Sequence, residues 1–377
     1  GTGIDKVGTG TLTIRGTNNL GLDSGNSSGT DLRNGTLVLD YLNGNNNRKL
    51  GKPGNPTNGN DYTLNMRGAT LRIEGNNSEN ETINLSNLNL NEDNGKRGAN
   101  NIELFSHGQD LTLKLGSITN RDMPLHFDID ESGGGTAIIN TATTNQGISG
   151  TLSQDRDFFY NKSNWAEVDA SGNVQAFTGL VSASTANDFE TAAADSLIDI
   201  QNSISVDPNG TGDERVLGLR FNQATSTTLT LANGLNLGGR ERDSSNNAIS
   251  GTNETAAILV TDNAGAVNIN NGSLFTDVNN ALAIAHYGSS DLTINSQVDF
   301  VTSGNSVTKI GSGRLVLTND NSRFSELNIY EGTVAVDSVS SGGSSSSAGE
   351  GADILITQAT FEYTGSTDQT TDVKVNI

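Results

Sequence analysis

The residues best suited to chemistry are carboxylates in short clusters. In "HFDIDESGGG", Asp128 and Asp130 alternate along a strand-like run, which puts both on one face, and Glu131 follows directly. Hard divalent cations take oxygen donors of this kind, so Asp128, Asp130 and Glu131 form a candidate calcium site. "SQDRDFF" adds Asp155 and Asp157, and "DPNGTGDE" adds Asp207, Asp213 and Glu214. The latter lacks the glutamate that an EF-hand loop carries at its twelfth position, and no glycine-aspartate nonapeptide array is present. Paired carboxylates also act as acid and base in glycoside chemistry, for which Asp128 and Asp130 are the pair to test. Solvated turns account for the same residues more simply. No catalytic residue is therefore assigned, no enzymatic activity is expected, and no cofactor beyond that calcium candidate.

His107, His126 and His286 are too few and too scattered for a metal set or a triad. Two of them fall in an internal echo, "NNIELFSHGQDLTLKLGSI" (100–118) against "NNALAIAHYGSSDLTINSQV" (279–298), where His107 and His286 take equivalent places. A shared structural role in a repeated element is the expectation. No G-x-S-x-G or Walker phrase occurs, and the spacing of "GTGIDKVGTG" is wrong for a nucleotide loop. Trp165 with Phe158, Phe159 and Tyr160 offers a sugar-binding platform on one reading. On the other, they pack a local excursion within residues 152–200, which suits the densest aromatics of an aromatic-poor chain.

The elements that must position these groups are short strands. Of 377 residues only 33% are hydrophobic and 5% aromatic, which is low for a compact core, and 45 are glycine. Runs such as "TLTI", "TLVLDYL", "TLRIEG", "LTLKL" and "RLVLTN" alternate apolar and polar side chains and end in Gly, Asn or Asp turns. The phrase "KVGTGTLTIRG" (6–16) returns as "KIGSGRLVLTN" (309–319). "NGTLVLD" (34–40) then meets "EGTVAVD" (331–337), and "GATLRIEG" (68–75) meets "QATFEYTG" (358–365). The order of blocks is kept and the loops are shorter, so residues 6–90 and 309–377 are two copies of one unit. Self-similarity on two scales is the mark of a solenoid built by duplication. The expected fold is all-β: a parallel β-helix with loop excursions, one continuous β-solenoid over 1–377, with ladders of buried corner asparagines. A β-sandwich is the runner-up. "SVSSGGSSSSAGEG" (338–351) is expected to be a flexible loop, and 185–200 a short turn of helix or a long loop.

Net charge is −21, from 43 acidic and 22 basic residues, with no basic stripe, which argues against nucleic acid as a partner. The absence of cysteine removes disulfides and thiolate metal sites. No apolar run approaches the length needed to span a bilayer, so membrane insertion by this segment is not expected. The chain opens at Gly1 on a repeat phrase and stops inside the strand-like "TTDVKVNI", which reads as part of something longer.

The repeated phrase resembles the autotransporter-associated β-strand repeat, also called the passenger-associated transport repeat. The likeness rests on Lys6, Gly8, Gly10, Gly16 and Gly35 in one copy and on Lys309, Gly311, Gly313 and Gly332 in the other, with Thr11, Leu12 and Leu315 beside them. The tyrosine-bearing turn usual after the motif is "NNLGLDSG" in the first copy and carries Phe324 in the second. The resemblance implies an extracellular, right-handed parallel β-helix on the bacterial surface. The expected role is structural: a rod or filament made by head-to-tail stacking of coils, or a window on a longer tandem array. Its partner would be a second copy of itself, through Gly1, Ile4, Leu12 and Ile14 at one end and Val373, Val375 and Ile377 at the other. Alternatives are the stalk or passenger domain of an adhesin, contacting cell-surface glycans through loops 41–61 or 157–180, and a polysaccharide-active β-helix enzyme.

Overall fold

A computed structural model of the chain describes residues 4–15, 30–42, 63–90, 98–119, 123–145, 158–193, 196–207, 215–238, 256–276, 281–300, 305–341, 343–351 and 353–377. The chain divides into two compact units: 1–145 with 158–161 and 166–176, and 146–157 with 162–165 and 177–377.

In the first unit the chain steps from sheet to sheet and returns one layer higher. Asp5–Val7 enters a five-stranded sheet and Thr11–Ile14 an eight-stranded one. Thr30–Arg33 and Thr36–Asp40 then pair with those two strands in parallel. A three-stranded sheet, Glu81–Asn84, Leu111–Lys114 and Ala137–Asn140, makes a third wall. This winding is a parallel β-helix, and the in-register parallel pairing removes the β-sandwich alternative. Alternation drives it, because every second side chain points inward and meets its like about 4.8 Å away on the next coil. Leu37, Leu71, Ile102 and Phe127 form one such column, all buried. Residues 166–168 and 174–176 pair antiparallel at the end of the eight-stranded sheet, around a turn in which Asp169 accepts from Ser171 and Asn173 N–H.

The second unit winds the same way through sheets of nine, seven and four strands. Its first coil carries α1 (Ala186–Glu190), where the residues expected to be a turn of helix or a loop form one helical turn before the strand Leu197–Ile200. Thr185 Oγ1 accepts from Asp188 N–H while the Asp188 carboxylate accepts from Thr185 N–H, a reciprocal cap, and Phe189 drops into the core. One inward column runs Ile198, Leu219, Ile258, Ile284 and then, unexpectedly, Lys309 before Ile329 and Ile356.

The two sequence copies take matching places in their own units. Asp5–Val7, Thr30–Arg33 and Thr63–Arg67 are consecutive rungs, as are Ser306–Ile310, Glu326–Ile329 and Asp353–Ile356. Lys6 faces Leu32 where Lys309 faces Ile329.

Two local expectations are corrected. The serine-rich stretch is not free throughout: Ser346, Ser347 and Ala348 are buried, while 341 and 343–345 are exposed. Ser347 Oγ accepts from Asp337 N–H at 3.1 Å and Ser338 N–H at 2.9 Å, and Glu350 N–H reaches Phe324 O. Among the described residues, the buried asparagine whose bonds define a corner is not part of an amide ladder. Buried Asn100 accepts from Gly68 N–H at 2.9 Å and Ala69 N–H at 3.3 Å and donates to Pro124 O at 3.4 Å. Corner backbone groups outside the sheets need partners, and one amide supplies them. Amide-to-amide bonds lie at less buried positions, as from Asn295 to Asn270 at 2.6 Å.

Candidate functional site

The repeated phrase builds one device twice. Alternation turns Lys6 inward, 7% exposed, between exposed Asp5 and Val7. Its stem fills an aliphatic position and its ammonium turns to the corner. Nζ donates to Gly8 O at 2.7 Å and to Val7 O at 3.4 Å in its own coil, and to Asn34 O at 3.3 Å in the next. Lys309 repeats this fully buried: Nζ donates to Ile310 O at 2.9 Å, Gly311 O at 2.5 Å and, across the coil step, Glu331 O at 3.3 Å. Glycine is required where the next coil crosses. Gly35 and Gly332 have φ of +66° and +70°, and a Cβ on Gly332 would lie 2.5 Å from both Gly311 O and Gly313 O. Burial pushes the Lys309 ammonium pKa down to about 7, against the pull of Glu331.

The coil before Lys309 supplies His286, fully buried beneath Gly313, whose N–H bonds His286 O at 2.8 Å. Burial first, and then the Lys309 charge, lower its pKa to about 4. The ring is therefore neutral at pH 7, with Nε2 donating to Ser290 O at 2.9 Å. His107 does not share this role. Inward positions of its strand are Ile102 and Leu104, so Ser106 is the next buried residue, and His107 turns outward to Glu74 Oε2 at 2.7 Å. A one-residue offset in the echo changes the face. His126 is buried beside the Phe159 ring.

Asp128 and Asp130 share a strand face as expected, but Asp130 Oδ1 accepts from Ser132 N–H and Glu131 Oε1 from Ala137 N–H, both at 2.8 Å. Those Ser132 hydrogen bonds lower the Asp130 pKa. Among the described residues no three His, Asp or Glu side chains converge as a cation site would require. Gly1, Gly16, Asp155, Asp157, Asp213 and Glu214 lie outside the described residues, and Asp207 is paired through its N–H with Glu190. Three of the four aromatics are packing groups, and Tyr160 is half-buried. Phe158 and Phe159 are buried in the first unit, and Trp165 is buried in the second against Gly218.

The outward face of the eight-stranded sheet holds a groove of about 640 Å³ that sequence reading missed, because its members come from four separate coils. Arg15 Nε meets Asp40 Oδ2 at 2.7 Å, and Arg72 Nε meets Glu74 Oε1 at 2.5 Å, with Glu103 at 3.9 Å. The Arg72 guanidinium lies 4.0 Å over the Phe105 ring.

Of the residues expected at an assembly interface, Ile14 is buried and Ile4 and Val373 are half-buried. Leu12 (39%) and Val375 (48%) are exposed, and Ile377 is fully so.

The chain is similar to the adhesin BmaC autotransporter of Brucella suis biovar 1 (strain 1330), 25% identical over 319 residues, which is 80% of this chain and 8% of that protein. The chain thus spans under a tenth of the length of the curated relative it matches. No family model matches the sequence, and no solved structure matches it.

Proposed function

We propose that the chain is a load-carrying stretch of β-solenoid in a large bacterial surface protein, extended by further coils into a rod or filament. The observation that carries this reading is the lysine corner. In both copies an inward lysine donates to three carbonyls, two in its own coil and one in the next, a contact that serves coil-to-coil cohesion. Similarity to an autotransporter adhesin supports a cell-surface or extracellular setting and an adhesin-like or stalk role. The exposed strands at the first coil of one unit and the last coil of the other are apolar enough to take a further parallel strand, from the same polypeptide or from a second copy. Intact mass and electron microscopy of native material test this. Filaments or long rods are expected, with a mass many times 39.3 kDa for a covalent array or near it for stacked copies. Blunt, isolated particles of that single mass would overturn it.

An adhesin reading stands beside it, on the strength of the relative's own role. Residues 157–180 are poor candidates for its binding loop, since 158–160 and 166–168 are strand residues and Trp165 is buried.

A further inference from the structure

We propose that the groove on the eight-stranded sheet binds a neutral, linear saccharide laid along the coil axis, across the strands. Two rows of polar groups flank its floor. One is a row of hydroxyls, Thr11, Thr36 and Thr70, in register from coil to coil. The other is the charged row of Arg15, Asp40 and Glu74. Successive members are one strand spacing apart, about 4.8 Å, so a linear polymer of similar repeat meets the same groups again at each coil.

The chemistry selects the ligand. Arg15 and Leu42 N–H hold the two oxygens of Asp40, Arg72 and His107 hold those of Glu74, and each oxygen has a second lone pair with which to accept from a hydroxyl donor. Such charge-assisted bonds are the stronger kind. Among the described residues no aromatic ring lines the groove, since Phe105 is covered by Arg72, so recognition is by hydrogen bonding at the edges of the sugar rings. Among the described lining residues three carboxylates stand against two guanidinium groups, and on a chain of net charge −21 they repel polyanionic glycans. Val38 and Leu42 are too little apolar surface to seat a helix or a lipid. The coil itself does not demand most of these charges: the second copy keeps Asp337 in the place of Asp40 but carries Thr318, Glu362 and Thr364 where the first has Arg15, Arg72 and Glu74.

This site is independent of coil stacking, and its test leaves stacking aside. The full chain is titrated with cellohexaose, xylohexaose and mannohexaose, and with heparin and polygalacturonate as polyanions. Binding of at least one neutral hexasaccharide is expected. Asp40→Asn and Glu74→Gln should each weaken it by about tenfold, the worth of one charged hydrogen bond. Asp299→Asn, which breaks an ion pair with Arg323 in the other unit, should leave it unchanged. If Asp40→Asn alters the circular dichroism, Arg72→Lys, which keeps the charge but loses the planar fork, takes its place. No retention of any neutral hexasaccharide, retention of the polyanions alone, or equal loss in Asp299→Asn would overturn the proposal.

Discussion

At the scale of single residues, the corner predicts a sharp contrast between two glycines. Gly332→Ala places a Cβ 2.5 Å from two carbonyl oxygens at φ +70°, and should destabilise the second unit by about 3 kcal/mol or more. Gly343→Ala, at φ +82° with nothing within 4 Å, carries only the left-handed backbone cost of about 1 kcal/mol. Chemical denaturation followed by Trp165, the chain's one tryptophan, reads both. The buried histidine predicts a pH response. His286 titrates near 4 when folded against an ordinary 6.5, so between those values the unfolded chain holds the extra proton. Stability should then fall by about 3 kcal/mol as pH drops from 6.5 to 4, and His286→Gln should flatten that part of the slope. Lys309, lowered from 10.5 to about 7, adds the same sign at higher pH, with stability rising from pH 7 to 10.5. The repeat made Lys6 and Lys309 visible as framework positions. Their burial was visible too in the alternation of Val307 and Lys309 against Ser306 and Thr308, but a charged side chain is not ordinarily read as core.

Strands were the most legible elements, because period-two alternation and glycine turns survive without any tertiary knowledge. The parallel pairing within each repeat copy follows from the same pattern, since successive blocks of one copy return coil by coil to the sheets of their own unit. What escaped were features set by neighbours distant in sequence. The serine-rich stretch has loop composition, yet Ser347 is buried because Ser338 and the Asp337 backbone offer it partners. The groove is invisible because Arg15, Asp40, Arg72 and Glu103 become neighbours only once four coils are wound. The α1 cap, by contrast, could be read from Thr185 and Asp188 three residues apart. Thr185→Ala should cost about 1 kcal/mol, localised to the first coil of the second unit. Hydrogen exchange should quicken at Val181–Ala183 and Ile204–Val206 while Ser306–Ile310 keeps its protection. Uniform loss of protection would mean that the helix belongs to the whole unit's cooperativity rather than to its first coil.

At the scale of the molecule, the acidic surface acts against the proposed stacking of coils. A strand at the end of a β-helix offers a row of backbone donors and acceptors, and Val375, Leu12 and Val7, the last 62% exposed, add apolar contact to it. Net charge of −21 opposes the approach of a second copy, and salt screens that repulsion to within about 8 Å at physiological ionic strength. The proposed stacking should therefore strengthen as salt rises. A single lysine on the terminal strand, Val375→Lys, should weaken it at every salt concentration by placing a charge that must be desolvated in the join. Sedimentation velocity from low to physiological salt separates the terms. Wild type should shift to larger species with salt, and the variant should stay monomeric with unchanged circular dichroism and Trp165 emission. If the variant assembles as wild type does, the join is not at this strand edge. If wild type stays monomeric throughout, non-covalent stacking fails, and extension of the solenoid must come from coils within one longer polypeptide.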